Sequence, residues 1–199
     1  MGLIQMAENG KLIGSDYLLL LLFLNNKEPI KSAVRLVKMM FLFNKEIAPV
    51  LKKSGLAINE EDLPNFQPYN YGPFSKDVYE QVELFQSIGF IKVKDLFVRE
   101  EMDEVDNWEE QAFIDEFESS DTFSNRRDGK FMQYELLVRG EDYVGSNIIK
   151  FFTKEQIVTL SEFKKRITQT SIKAILRYVY VKYPDMTKNS IIKDEVLEG

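Results

Sequence analysis

The composition describes a chain that can fold but lacks the commonest catalytic side chains. Its 199 residues are 44% hydrophobic and 13% aromatic, enough to bury the core of one domain, or of one domain with an extension. The net charge of -6 argues against unselective binding to nucleic acid or anionic lipid, although an acidic protein can still carry a local basic face. Cysteine and histidine are absent, which excludes disulfides, thiolate or imidazole zinc sites and Ser-His-Asp or Cys-His catalysis.

The first part of the chain predicts two helices. Residues 17–24 read YLLLLLFL, which is too short for a bilayer that needs ~20 apolar residues, so the run predicts a buried helix capped by Ser15. Pro29 suits the first turn of a second, largely apolar helix that we expect in the centre of the core. The sequence shows no signal-peptide order and no lipidation motif, so we expect a cytoplasmic protein without a membrane partner.

A long connection then leads into a third helix and two strands. Residues 54–73 are rich in Gly, Pro and Asn and predict an irregular loop, and loops of that length usually have a function. Ser75 is expected to cap the third helix and Gly89 to end it. Apolar and β-branched content predicts strands over residues 90–98 and 130–138.

An acidic insertion, residues 99–128, separates the two predicted strands. Residues 100–118 contain ten acids and no Lys or Arg, and Trp108 and Phe113 belong to an apolar set at roughly helical spacing. The insertion is either a solvated loop or a surface that imitates nucleic acid, covers a basic partner or folds onto the basic C-terminal helices. A protein contact would account for both the acids and the aromatic residues.

The C-terminal part predicts two further helices. A capping box starts at Thr153, and Pro184 ends the second helix. Tyr178 and Lys182 match a Tyr-x-x-x-Lys pattern of some oxidoreductases, but without a Gly-rich dinucleotide turn we interpret it as a coincidence of helix spacing.

The order of elements predicts an α+β, mostly helical fold. Three helices followed by two strands are typical of a winged helix, a relative of the helix-turn-helix motif. We therefore assign residues 1–152 to a winged-helix-like domain with a two-stranded wing hairpin, and residues 153–199 to a helical extension packed on it.

Three segments carry a family resemblance. In order and spacing, RLVKMMFLF at 35–43, YGPFSKDVY at 71–79 and YELLVRG at 134–140 resemble the Panacea domain family, which includes SocA-like antitoxins and related bacterial, archaeal and phage proteins. The resemblance covers roughly residues 16–144, and residues 153–199 are similar to the helical tail of a subgroup. It implies a regulatory domain that acts by binding, often beside a toxin, with no conserved catalytic apparatus. The acidic insertion departs from many relatives and argues against DNA contact through the wing.

The leading functional hypothesis is a non-enzymatic module that binds a protein partner, such as a toxin or regulator encoded nearby. Loop aromatics offer a large contact area at small entropic cost. The candidate partner-binding residues are Tyr69, Tyr71, Pro73, Phe74, Trp108 and Phe113. The same 71–75 turn also has a purely structural interpretation, in which it fixes the start of the third helix.

The alternative hypothesis is a DNA-binding transcriptional regulator. Its phosphate contacts would come from Lys31, Arg35, Lys38, Lys164, Lys165 and Arg166, which are otherwise expected on solvated helix faces. The polar face of the third helix carries more acids than bases, which disfavours DNA. Neither of these two hypotheses involves a metal or a cofactor. A third hypothesis is a carboxylate-dependent metal enzyme. A homodimer is compatible with the sequence.

Overall fold

The computed structural model describes residues 12–97 and 130–198 and shows a mostly helical α+β fold. The helices are α1 Gly14–Lys27, α2 Ala33–Leu42, α3 Ala48–Lys53, α4 Lys76–Ser87, α5 Val138–Tyr143, α6 Lys154–Gln169, α7 Ile172–Lys182 and α8 Lys193–Glu198. The strands are β1 Ile30–Lys31, β2 Gln67–Tyr69, β3 Gly72–Phe74, β4 Ile91–Phe97 and β5 Lys130–Leu136. A π-helical turn, Phe43–Ile47, joins α2 to α3, and a second, Val144–Ile148, follows α5. The acidic insertion, with Trp108 and Phe113, lies outside the described residues.

The main sheet confirms the two predicted strands and adds a third. β4 and β5 pair antiparallel, with Ile91 opposite Leu136, and β1 pairs with the other edge of β5. The sheet therefore has one strand more than the predicted two-stranded hairpin. The prediction that Pro29 opens the second helix is wrong, because the chain after it is held on β5: the Ser32 N–H donates to the Met132 carbonyl at 2.7 Å. α2 begins only at Ala33.

The leucine block forms the predicted buried helix, but its start differs from the prediction. The side chains of residues 18–22 are at most 1% exposed. Ser15 does not cap α1, because the helix already begins at Gly14 and Asp16 accepts the Ile13 N–H at 3.0 Å. Regular helical geometry stops before Leu24, and the three residues after Leu24 have positive φ. The C-terminal end of α1 is therefore irregular, and its carbonyl groups need hydrogen-bond donors from elsewhere in the protein.

The C-terminal helices share one hydrophobic core with the first two helices. α6 packs against α1 and α2, and α7 packs against α2. Phe163 from α6 and Val179 from α7 are buried in the same cluster as Phe41. The predicted capping box is confirmed: Thr153 Oγ1 accepts the Gln156 N–H at 3.2 Å, and Gln156 Oε1 accepts the Thr153 N–H at 2.9 Å. No helix in the described ranges is long and apolar enough to cross a bilayer.

The third predicted helix is confirmed as α4, although not its cap. Gly89, with φ of 73°, follows the helix, and the Phe90 N–H reaches back to the Phe85 carbonyl at 2.8 Å, as in a Schellman motif. Ser75 precedes the helix, but its Oγ is buried and makes no hydrogen bond within the described residues. The prediction of a Ser75 side-chain cap is therefore wrong, because the hydroxyl lies inside the protein and makes no bond to the free amides of α4.

Candidate protein-binding site

The predicted irregular loop contains a short hairpin, formed by β2 and β3. Tyr69 lies opposite Gly72, so two residues connect the strands. Gly72 has φ of 82°, and a Cβ built on it would lie 3.0 Å from the ring of Tyr180. The turn therefore needs glycine both for its backbone conformation and for its close approach to α7.

A buried lysine binds the backbone of this hairpin from the core side. The Lys38 side chain is 0% exposed, and its Nζ donates to the carbonyl oxygens of Tyr71 at 2.6 Å and Pro73 at 2.9 Å. Burial lowers the pKa of Lys38 to about 7. Since Lys38 belongs to a core helix, the hairpin backbone is fixed directly to the centre of the protein.

The C-terminal end of the chain holds the hairpin from a second side. The Asn70 carbonyl accepts the Ser190 hydroxyl and the Ile191 N–H, each at 2.9 Å. The Ser190 hydroxyl is also 2.6 Å from the Tyr180 hydroxyl. The connection of β2 to β3 is therefore bonded to the segment beyond α7 and linked to α7 itself through Ser190.

Three aromatic rings form a row on the hairpin and the first turns of α4. The centroids of Tyr69 and Phe74 are 5.1 Å apart, and Phe74 stacks on Tyr79 at 5.5 Å. Tyr69 is 41% exposed, Phe74 and Tyr71 are half-buried, and Pro73 is buried. The structure thus brings four predicted partner residues onto one hairpin and makes Tyr69 the most accessible of them. The other two predicted partner residues are outside the described ranges.

Two of the predicted phosphate-binding lysines are internal. Lys164 is 0% exposed, like Lys38, and its Nζ donates to the carbonyl oxygens of Leu24 at 2.8 Å and Glu28 at 2.6 Å. Burial lowers the pKa of Lys164 to about 8, and the nearby Glu28 charge limits the fall. The expectation of a solvated helix face is wrong for both lysines, because their ammonium groups bind backbone carbonyls inside the protein.

Of the remaining basic candidates, Arg35 is half-buried and the other three are exposed. The Arg35 guanidinium donates to the Thr170 carbonyl at 2.5 Å and to the Ile167 carbonyl, at the end of α6. Three of the predicted basic side chains are exposed: Lys31, Lys165 and Arg166. The six candidates therefore do not form one exposed basic surface.

The exposed face of α4 carries the excess of acid that the sequence predicted. Glu80 and Glu83 are exposed on this face, together with Lys76. Lys76 Nζ is 2.9 Å from Glu80 Oε1, so the one lysine of α4 forms an ion pair within the helix. Asp77 accepts the Asn65 N–H at 2.7 Å and ties the helix to the preceding loop. A phosphate backbone against this face would meet carboxylates.

The structure also assembles a polar cluster that sequence reasoning missed. Glu46 Oε1 accepts the hydroxyls of Tyr178 and Tyr183, both at 2.8 Å, and the Lys182 ammonium at 2.9 Å. Burial raises the pKa of Glu46, but these hydrogen bonds outweigh it and leave the pKa below its ordinary value. The Tyr178 and Lys182 pair was the only signal in the sequence, because Glu46 lies 132 residues before Tyr178.

A groove of about 930 Å³ lies between the α3 region and the loop before β2. Its apolar lining includes Ala48, Ile58 and Phe66. On its rim, Lys52 Nζ is 3.2 Å from Glu60 Oε1. The rim therefore combines both signs of charge and does not by itself select an anionic or a cationic ligand.

Among residues 12–97 and 130–198, no set of three or more acidic side chains is grouped to hold a metal ion. Comparison of the chain with protein-family models, with curated proteins and with solved structures found no match. The features that distinguish the described surface are the aromatic hairpin and the groups that hold its backbone.

Proposed function

We propose that this chain is a non-enzymatic regulatory module, antitoxin-like, that acts by binding another protein through the β2–β3 hairpin. The observation that carries the proposal is the exposed ring of Tyr69, packed on Phe74 above a backbone that buried Lys38 fixes. The resemblance to SocA-like antitoxins supports it, because the most specific segment of that resemblance, YGPFSKDVY, contains β3 and the start of α4.

The hairpin has the properties of a preorganised contact surface. Tyr and other aromatic residues are enriched among the residues that dominate binding energy. Ordering a mobile side chain on binding costs about 0.5–1.5 kcal/mol, and this cost is small when the ring is already packed. Tyr69 is packed against Phe74, which in turn stacks on Tyr79. A partner would therefore meet a largely formed surface.

The arrangement of elements supports a winged-helix-like description of the module. The β4–β5 pair follows, in chain order, α1, the short strand β1, the two helical segments α2 and α3, and α4. Strand β1 pairs with the other edge of β5 and completes a three-stranded sheet. In a DNA-reading member of that class, α4 would face the duplex. The exposed Glu80 and Glu83 on α4, and the internal positions of Lys38 and Lys164, favour a protein partner over DNA.

The test is co-purification of the tagged chain with the product of the adjacent gene. Tyr69→Ala should weaken the interaction at least tenfold, which corresponds to about 1.4 kcal/mol of binding free energy. Tyr178→Ala is the matched control, because Tyr178 is a tyrosine of similar exposure, 44% against 41%, outside the hairpin. We expect the control to bind within about twofold of the unmodified chain.

Two results would contradict the proposal. One is unchanged binding of the partner by Tyr69→Ala. The other is failure to capture a protein under several conditions, together with tight duplex binding that falls steeply as salt increases. That second result would favour the DNA-binding regulator, with Lys31, Lys165 and Arg166 as the exposed phosphate contacts.

A further inference from the structure

Four carbonyl groups of the hairpin accept hydrogen bonds from remote parts of the chain. Lys38 binds the carbonyls of Tyr71 and Pro73. The carbonyl of Asn70 is bound by two donors from residues 187–192, which we name the C-terminal turn. Asn189 Nδ2 adds a longer contact, 3.4 Å, to the Pro68 carbonyl. The backbone of the hairpin therefore depends on groups far away in sequence.

The C-terminal turn is itself anchored to the core. Thr187 is 0% exposed, and its Oγ1 donates to the Pro184 carbonyl at 3.2 Å. Ile192, at the other end of the turn, is 3% exposed and belongs to the hydrophobic cluster. Between these anchors, the Ser190 hydroxyl joins the Tyr180 hydroxyl to the Asn70 carbonyl. The turn can therefore transmit the position of α7 to the hairpin.

The same turn exposes a large apolar side chain next to the hairpin. Ile191 is 66% exposed, and its N–H donates to the carbonyl of Asn70, the neighbour of Tyr69. One carbonyl group thus links two segments that each expose an apolar side chain. The backbone of Ile191 is therefore held directly against that of Asn70, the residue after Tyr69.

We propose that the C-terminal turn and the β2–β3 hairpin form one binding unit, in which Ser190 positions the hairpin and Ile191 adds a second apolar contact for the partner. The inference rests on the proposed function for its occupant, a protein partner with an apolar surface that covers Tyr69 and Ile191 together. The coupling of the turn to the hairpin is a property of the chain alone and can be measured without the partner.

The first measurement is amide hydrogen exchange of residues 67–74 in the full chain. Ser190→Ala removes the hydroxyl that joins Tyr180 to Asn70, and we expect exchange in the hairpin to rise about tenfold. Ser190→Thr keeps a hydroxyl and should restore slow exchange. The control is Ser87→Ala, which removes a hydroxyl bonded to a carbonyl within α4 at 2.7 Å. It should leave the hairpin unchanged.

The second measurement is binding to the partner captured with the unmodified chain. Ile191→Ala should weaken binding about three- to tenfold, whereas Val181→Ala, at 67% exposure on α7, should not. Unchanged hairpin exchange in Ser190→Ala would overturn the coupling whatever partner is found. A loss of binding in Tyr69→Ala without any loss in Ile191→Ala would leave the proposed function intact and overturn the composite surface.

Discussion

Two regions of the molecule use the same device, a buried lysine that donates to backbone carbonyls, for different ends. Lys164 serves the irregular chain where α1 stops, and one of its acceptors is the Glu28 carbonyl. Lys38 serves a hairpin that carries the exposed ring of Tyr69. Both ammonium groups are removed from water, which is costly for a charge. The comparison of the two sites indicates that buried Lys164 stabilises only the fold at the end of α1. Buried Lys38 also fixes the hairpin that exposes Tyr69.

The largest loss of stability that would distinguish the two sites is expected at the end of α1. Lys164→Met should lower the free energy of unfolding by roughly 3 kcal/mol, because the carbonyls of Leu24 and Glu28 lose their donor while the aliphatic volume is kept. Denaturant unfolding measures the change. Partner binding by the folded variant should be unaffected, and a loss of binding equal to that of the hairpin variants would remove the distinction between the two regions.

A smaller loss of stability with a larger loss of binding is expected beneath the hairpin. Lys38→Met should lower the free energy of unfolding by roughly 2 kcal/mol, because the Tyr71 and Pro73 carbonyls lose a donor. It should also weaken partner binding at least tenfold, since the hairpin is no longer fixed before contact. Binding is compared with Lys164→Met at a temperature where both variants are folded. Equal binding by the two variants would show that Lys38 has no positioning role.

The pH dependence of stability should also separate the two lysines. The pKa of Lys38 falls from 10.5 to about 7 on folding, so above pH 7 the unfolded chain binds more protons and stability rises with pH. The pKa of Lys164 falls only to about 8. Between pH 7 and 9 the stability of the unmodified chain relative to Lys38→Met should increase by about 2 kcal/mol, and relative to Lys164→Met by about 1 kcal/mol.

Differences between variants isolate each lysine, because all other titrating groups are common to both proteins. Denaturant unfolding at several pH values supplies the measurement. Stability differences that stay constant between pH 7 and 9 would show that the two lysines keep ordinary pKa values in the folded chain.

Local sequence signals were sufficient where they determine the structure by themselves. The leucine block, the Gly89 stop and the Thr153 capping box are each set by residues within one or two turns, and all three predictions are confirmed. The strand pair β4 and β5 was also predictable, because its apolar and β-branched pattern is continuous over each strand.

The features that could not be predicted from the sequence depend on contacts between residues far apart in the chain. A lysine in a helix has the same sequence pattern whether its ammonium faces water or a buried carbonyl, so the sequence predicts solvated faces for Lys38 and Lys164. The acceptors of Lys164 lie 136 to 142 residues away, and β1 is a strand only because it meets β5. The aromatic residues of the hairpin were predictable as a loop surface, but not the groups that hold them.

The smallest effect expected in the hairpin region is that of Ser75→Ala. An N-cap serine normally contributes about 1 kcal/mol, so a capping role would make the variant clearly less stable. In this structure the Ser75 Oγ is buried without a hydrogen-bond partner among the described residues, so its removal should change the free energy of unfolding by less than about 0.5 kcal/mol or increase it slightly. Thr153→Ala, which removes a formed cap, is the control and should cost about 1 kcal/mol. If Ser75→Ala were as destabilising as Thr153→Ala, the start of α4 would be held by Ser75 as well as by its connection to β3, and the Lys38 bond to the Pro73 carbonyl could not be the main restraint on that side of the hairpin.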